Sequence, residues 1–295
     1  MDEKMLERMK KGQGFIAALD QSGGSTPKAL KNYGINEDQY SGEEEMFDLI
    51  HQMRSRVITS PVFTSERILG AILFKRTMLS KIEGKYAAEY LWEEKGIVPL
   101  LKVDEGLAER ADGVQLMKEM KELDHLLVSA REHKVFGTKM RSVIHEANEA
   151  GIKKIVDQQF RYGKKIFDAG LVPILEPEVT ITIPDKAEAE ALLLKEIMNQ
   201  LEALPESYHF MFKLSLPSKD GFYDQLADHP QVDRVVALSG GYSFDEANTL
   251  LSHNQKMTAS FSRALLNDLS AQQSDEEFNQ VLDRVIQAIY EASIQ

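Results

Sequence analysis

The sequence has no cysteine, a single tryptophan, and too few basic residues to balance its acidic ones. Without thiols there is no disulfide framework, zinc ribbon or thiolate nucleophile, and the composition suits a reducing, cytoplasmic setting. Any nucleophile must therefore be another side chain. Lys and Arg number 35 against 47 Asp and Glu, a formal charge of −12. That balance opposes generic binding to nucleic acid or to an anionic membrane, although a local cluster of cations can still receive a specific anionic ligand. Long apolar runs are also missing. The longest stretch free of Asp, Glu, Lys and Arg is the ten residues Val235 to Phe244, too short to span a bilayer. The opening MDEKMLERMKKGQG lacks the apolar core of a signal peptide, so no targeting or membrane segment is expected. The seven histidines form neither an HExxH motif nor an i, i+4 pair, and no GxxxxGK[ST] loop occurs. No metal site and no cofactor are expected.

What is present is a regular alternation. Eight short apolar runs bounded by turn residues recur: GFIAALD (14–20), GAILFK (70–75), IVPLLKVD (97–104), FGTKMRSVI (136–144), LVPILEPEV (171–179), YHFMFKLSLP (208–217), VDRVVALSGG (232–241) and KMTASFSR (256–263). Longer stretches with helical spacing separate them, among them EEEMFDLIHQMRSRVI, YAAEYLWEEK, EANEAGIKKIVDQQFRYGKKIFDAG and AEAEALLLKEIMNQLEAL. Nearly continuous apolar strands between helices predict a parallel sheet covered on both faces. Eight such units in a chain of this length predict an α/β fold, a single-domain (β/α)8 barrel of the TIM type spanning residues 1–295. The competing open doubly wound sheet needs a glycine-rich turn leaving its first strand. Here GQGFIA enters the strand instead, so that motif is set aside. The acidic runs at 43–45 and 275–277 are expected to be solvated helix starts.

In such a barrel the chemistry gathers where strands end. Those ends carry Asp20, Lys75, Lys102 with Asp104, Lys139 with Arg141, Glu176 with Glu178, Lys213, Ser239 with Gly240 and Gly241, and Ser260 to Arg263. Alternation along a strand puts Lys139 with Arg141, and Glu176 with Glu178, on shared faces that can line the interior. Lys213 interrupts the apolar HFMFKLSLP. Desolvation and neighbouring cations favour the neutral amine that attacks a carbonyl to form a Schiff base. The bland alternative is a lysine whose stem lies on apolar surface while its ammonium reaches water. Lys102, Lys139 and a proton-shuttling Glu176 nearby favour imine chemistry on an anionic substrate. Glu178 is at least as readily a partner for an interior lysine, and Asp20 is either a turn residue or a base facing the pocket. The Ser239-Gly240-Gly241 turn, the Ser243/Glu246 capping box and Arg263 together suit a phosphate.

Taken together, AALDQSGGS, LKVDEG, TKMRSVI, LVPILEPE, FKLSLP, ALSGGYSFDEA and SFSRAL resemble, in order and through nearly the whole chain, the class I fructose-bisphosphate aldolases, the Schiff-base, metal-independent type. The resemblance implies a (β/α)8 barrel that reversibly cleaves fructose 1,6-bisphosphate, a phosphorylated ketose, to dihydroxyacetone phosphate and glyceraldehyde 3-phosphate. It implies Lys213 as the imine-forming lysine and Glu176 as the proton shuttle. Lys139 would give electrostatic help in carbinolamine chemistry, and Asp20 would orient substrate and lysine near the scissile bond. Lys102 and Arg141 would hold one end of the substrate, and Ser22, Ser239, Gly240, Gly241 and Arg263 the phosphates. The chain departs from the pattern in three places. It has no terminal tyrosine on a tail, Ser262 stands where many members have glycine, and Ala29 stands where a phosphate-binding arginine is expected. Two other functions compete: a Schiff-base lyase or transferase for another sugar phosphate, and a noncatalytic sugar-phosphate-binding barrel.

Overall fold

The structure, a computed structural model, describes residues 2–21, 26–266 and 268–295, with backbone only at 263 and 264. All eight apolar runs form strands: β1 (Phe15–Leu19), β2 (Ile68–Leu73), β3 (Val98–Lys102), β4 (Gly137–Ile144), β5 (Val172–Val179), β6 (Phe210–Ser215), β7 (Val232–Leu238) and β8 (Met257–Ala259). They pair in sequence order, every neighbouring pair parallel. The Ala18 N–H of β1 donates to the Phe261 carbonyl beyond β8 at 3.4 Å, drawing the last strand toward the first. This is the (β/α)8 barrel that the apolar runs predict.

The helices that cover the strands form where helical spacing predicts them: α2 (Gly42–Thr59), α3 (Ala87–Glu93), α4 (Leu123–Glu132), α5 (Glu149–Asp168), α6 (Lys186–Glu202), α7 (Phe244–Ser252) and α8 (Asp275–Ser293). The acidic triplets at 43–45 and 275–277 occupy the first turns of α2 and α8, where carboxylates suit the positive end of the helix. One crossover is thinner than expected. Between β6 and β7 lies only the four-residue helix Asp224–Ala227.

Side-chain alternation divides each strand between two cores. Ile16 and Ala18 of β1 point into the barrel with Ile72, Val98, Leu100, Ile174, Met211 and Val236. Phe15, Ala17 and Leu19 point outward against the helices, as do Leu101, Leu175 and Phe212. The lower end of the interior is closed by an element that the apolar runs do not reveal. α1 (Glu3–Lys11), capped by the Asp2 side chain, inserts Met5 and Met9 into that inner cluster. Arg234 fixes its end by donating to the carbonyls of Met9 (2.6 Å), Lys10 (3.2 Å) and Gly12 (2.8 Å). Gly12, whose N–H bonds the Arg8 carbonyl at 2.8 Å, therefore caps α1 and is not part of a dinucleotide turn.

Candidate active site

Two residues beyond the apolar layer, on the same inward-facing parity, three strands change from hydrocarbon to charge: Leu100 is followed by Lys102, Ile174 by Glu176, and Met211 by Lys213. On β4 the inward positions are Gly137, Lys139 and Arg141. The two strands are in register, with Lys139 beside Ile174, Arg141 beside Glu176 and Val143 beside Glu178. The charged layer thus lies at the carboxyl ends of the strands, lining a cavity of about 430 Å³.

At its centre, four buried ionisable groups form one chain. Lys139 Nζ lies 2.5 Å from Asp20 Oδ2 and 2.9 Å from Glu176 Oε2, and the other Glu176 oxygen, Oε1, is 3.2 Å from Lys213 Nζ. Glu176 therefore bridges two lysines, each about 95% removed from solvent. Burial alone would push both carboxyls up. For Asp20 the fields of Lys139, Lys213 and Lys102 overcome it and hold the carboxyl at about 2. Glu176 is held below the usual carboxylate range by Lys139 and Lys213. Burial would likewise pull Lys139 down, but Asp20, Glu176 and Asp104 hold it well above the usual lysine value. At neutral pH, Asp20 and Glu176 are carboxylates and Lys139 is an ammonium.

The surrounding residues are paired as well. Lys102 Nζ meets Asp104 Oδ1 at 2.6 Å and the Asp104 carbonyl at 2.8 Å. The second Asp104 oxygen accepts from the Arg141 N–H at 3.2 Å. Glu178 takes Arg141 Nε at 2.6 Å, so its partner within the barrel is an arginine where a lysine was expected. Burial opposes the Arg141 charge, but the bond to Glu178 raises its proton affinity above the ordinary guanidinium value.

On the opposite wall stand Ser239 and Gly240 after β7, with Ser260 and Ser262 after β8. Gly240 has φ +60°, and a Cβ there would come within 2.8 Å of Ile181 Cγ2, so glycine is needed on both counts. Gly241, at φ +118°, continues the turn but is exposed and does not line the cavity. The Ser243 hydroxyl then caps α7, accepting from the Glu246 N–H while Glu246 accepts from the Ser243 N–H. Ser22 lies outside the described residues, as does the side chain of Arg263. Among the described residues, no cluster of three or more His, Asp or Glu side chains could hold a metal ion, and no helix is long and apolar enough to cross a membrane.

Three participants escaped the sequence reasoning. Asp104 stood only as a companion of Lys102, yet it organises both Lys102 and the backbone of Arg141. Gln21 ties the first and last units together, its Nε2 donating to Ser262 Oγ at 2.6 Å and to the Ala18 carbonyl at 3.3 Å. Ser262 thus has a hydrogen-bonding role that a glycine could not fill. Arg54 of α2, 1% exposed, donates to the Gln21 carbonyl and to Thr77 Oγ1 (2.8 Å), behind Asp20. Burial lowers its guanidinium to about 10, partly offset by Asp20. Its signal was legible: at helical spacing from Ile50 and Ile58, Arg54 falls on the apolar stripe of its helix. Lys75 is exposed and starts a four-residue helix outside this cavity.

The chain matches the family model described as fructose-bisphosphate aldolase class-I over residues 3–208. The match ends before β6, so the pairing of Lys213 with Glu176 stands on the geometry of this chain. Among solved structures, the fructose-bisphosphate aldolase of Plasmodium falciparum, crystallised with TRAP and a small-molecule inhibitor, aligns with a TM-score of 0.78 at 21% identity. That alignment covers 99% of this chain and 95% of the other. A protein of Corynebacterium glutamicum aligns with a TM-score of 0.55 at 13% identity, covering 98% and 92% respectively. At these identities the two structures support the fold, and the family rests on the model match.

Proposed function

Because the chain belongs to the class-I fructose-bisphosphate aldolase family, we propose that it is a lyase that reversibly cleaves fructose 1,6-bisphosphate to dihydroxyacetone phosphate and glyceraldehyde 3-phosphate through a Schiff base on Lys213. The whole chain acts as one catalytic domain in the reducing cytoplasm. The observation that carries this reading is the bridging Glu176, a buried carboxylate within 3.2 Å of Lys213 and 2.9 Å of Lys139.

In this mechanism Lys213 gives a proton to Glu176 and attacks the substrate ketone as the free amine. Glu176 returns a proton to the carbinolamine oxygen, which leaves as water, and an iminium remains. Glu176, again a carboxylate, takes the proton of the hydroxyl on the departing carbon, and carbon–carbon cleavage sends its electron pair into the iminium, a sink that removes the need to stabilise a free carbanion. The aldehyde departs, the resulting enamine is protonated at carbon, and Glu176 assists hydrolysis of the imine. Lys139 keeps both carboxylates ionised and stabilises oxyanion character during carbinolamine formation. Asp20, fixed by Lys139, orients the substrate hydroxyls near the scissile bond.

Lys102 and Arg141 hold one end of the substrate by exchanging Asp104 and Glu178 for it. Ser239 and Gly240 offer a hydroxyl and a backbone N–H to a phosphate beside the start of α7, with Gly241 at the outer edge of the same turn as the resemblance implies. The resemblance adds Ser22 and Arg263 to the phosphate contacts. A coupled assay of fructose 1,6-bisphosphate cleavage tests the reading: the wild type turns over and Lys213→Met does not. Retained turnover in Lys213→Met, with intact folding, would overturn it.

A further inference from the structure

Beside the site lies a second, larger cavity of about 720 Å³ that shares Lys102, Asp104 and Gly106 with it. The Lys102–Asp104 ion pair is therefore a wall common to both spaces. The chemistry on its far side is different. The floor there is apolar, built from Phe74 at the end of β2, Val103 at the end of β3, and Leu123 and Leu126 in the first turn of α4. On its rim stand Lys75 and Lys118, both exposed and neither in an ion pair among the described residues. Two exposed carboxylates, Glu105 and Glu122, complete the rim. Both the size and the mixture of apolar surface with a few charged groups suit a small-molecule site.

We propose that this cavity is an acceptor-side subsite that admits aldehydes carrying an apolar body and an anionic end. The proposal rests on the Schiff-base aldolase reading, in which Lys102 holds the end of the substrate away from Ser239 and Gly240. In the joining direction, the enamine carbon of the donor on Lys213 forms the new bond to the aldehyde carbon. The carbonyl π pair moves to oxygen, which takes up one proton, while the enamine becomes an iminium that water hydrolyses. The rest of the aldehyde takes no part in these steps and needs only space. Past the Lys102–Asp104 pair, that space has apolar walls for the body of the aldehyde and the Lys75 and Lys118 ammonium groups for its end.

The test uses dihydroxyacetone phosphate with three acceptors: glyceraldehyde 3-phosphate, phenylacetaldehyde, and its para-carboxylate. The wild type is expected to condense all three and to favour the carboxylate over the neutral aryl aldehyde by about two- to fivefold in kcat/KM, the effect of one solvent-exposed charge contact. Lys118→Glu, an exposed change, removes that preference. Leu126→Trp fills the cavity and depresses both aryl aldehydes while leaving glyceraldehyde 3-phosphate within about twofold. Wild-type enzyme that condenses glyceraldehyde 3-phosphate but neither aryl aldehyde would overturn the subsite, as would an unchanged preference in Lys118→Glu. Failure of the wild type to form any reducible adduct with dihydroxyacetone phosphate overturns the aldolase reading and the subsite together.

Discussion

Lys139→Met probes the buried charge chain where it is most tightly coupled. In the wild type, Asp20 is held at about 2 against an ordinary 3.8. That lowering corresponds to roughly 2–3 kcal/mol favouring the folded state at neutral pH. This contribution is fully present above pH 4 and is lost as pH falls from about 4 to 2. Methionine keeps most of the side-chain volume but leaves Asp20 and Glu176 buried without the lysine that bridges them, facing only Lys213 and the more distant Lys102, Arg54 and Arg141. Removing one partner of a buried ion pair costs about 3–5 kcal/mol. Burial, now weakly opposed, raises both carboxyls in the folded variant above their unfolded values. Folding then takes up protons, and the variant recovers stability relative to wild type as pH falls from 7 to 5. Urea unfolding of both proteins at pH 7 and pH 5 measures this directly. A deficit of about 3–5 kcal/mol at pH 7 that narrows at pH 5 is expected. A deficit below about 1 kcal/mol, or one equal at both pH values, would refute the argument.

Other perturbations follow from single contacts. Gly240→Ala forces a side chain into a left-handed backbone at φ +60° and against Ile181, so a loss of about 1–2 kcal/mol is expected, with a raised KM for phosphorylated substrate. Thermal unfolding and kinetics check it, and no change in either would contradict the proposed role of the turn. Arg234→Met deletes three bonds to the end of α1, so hydrogen exchange in residues 3–12 should accelerate ahead of the barrel strands. Unaltered protection there would show that Met5 and Met9 hold the plug alone. Cleavage activity is expected to be insensitive to EDTA, and loss reversed by added zinc would contradict the Schiff-base mechanism.

The barrel was legible because parallel strands buried on both faces are written as unbroken apolar runs, and a change to charge at the carboxyl end of a run marks the functional layer. Lys102, Glu176 and Lys213 announce themselves in this way, each two residues after an inward-facing apolar residue. What stayed hidden depends on contacts remote in sequence or on length. Gln21 and Ser262 meet across 241 positions, which no local periodicity records. α1 reads as a charged, solvated start, because only Met5 and Met9 of its nine residues are buried and its role as a floor depends on the barrel above it. The long helix expected between β6 and β7 shrinks to four residues, since turn-like KDGFYDQLADHP carries too little apolar spacing for more. Arg54 was overlooked because a charged residue within an amphipathic helix is usually assigned to the solvent face.

The central claim is that Lys213 is the nucleophile and that Glu176 serves it. Borohydride reduction in the presence of dihydroxyacetone phosphate, followed by peptide mass spectrometry, tests this most directly. The expected result is a single adduct on Lys213 carrying the three-carbon phosphate, formed much more slowly in Glu176→Gln. An adduct on Lys139 or Lys102, or none on any lysine, would contradict the claim.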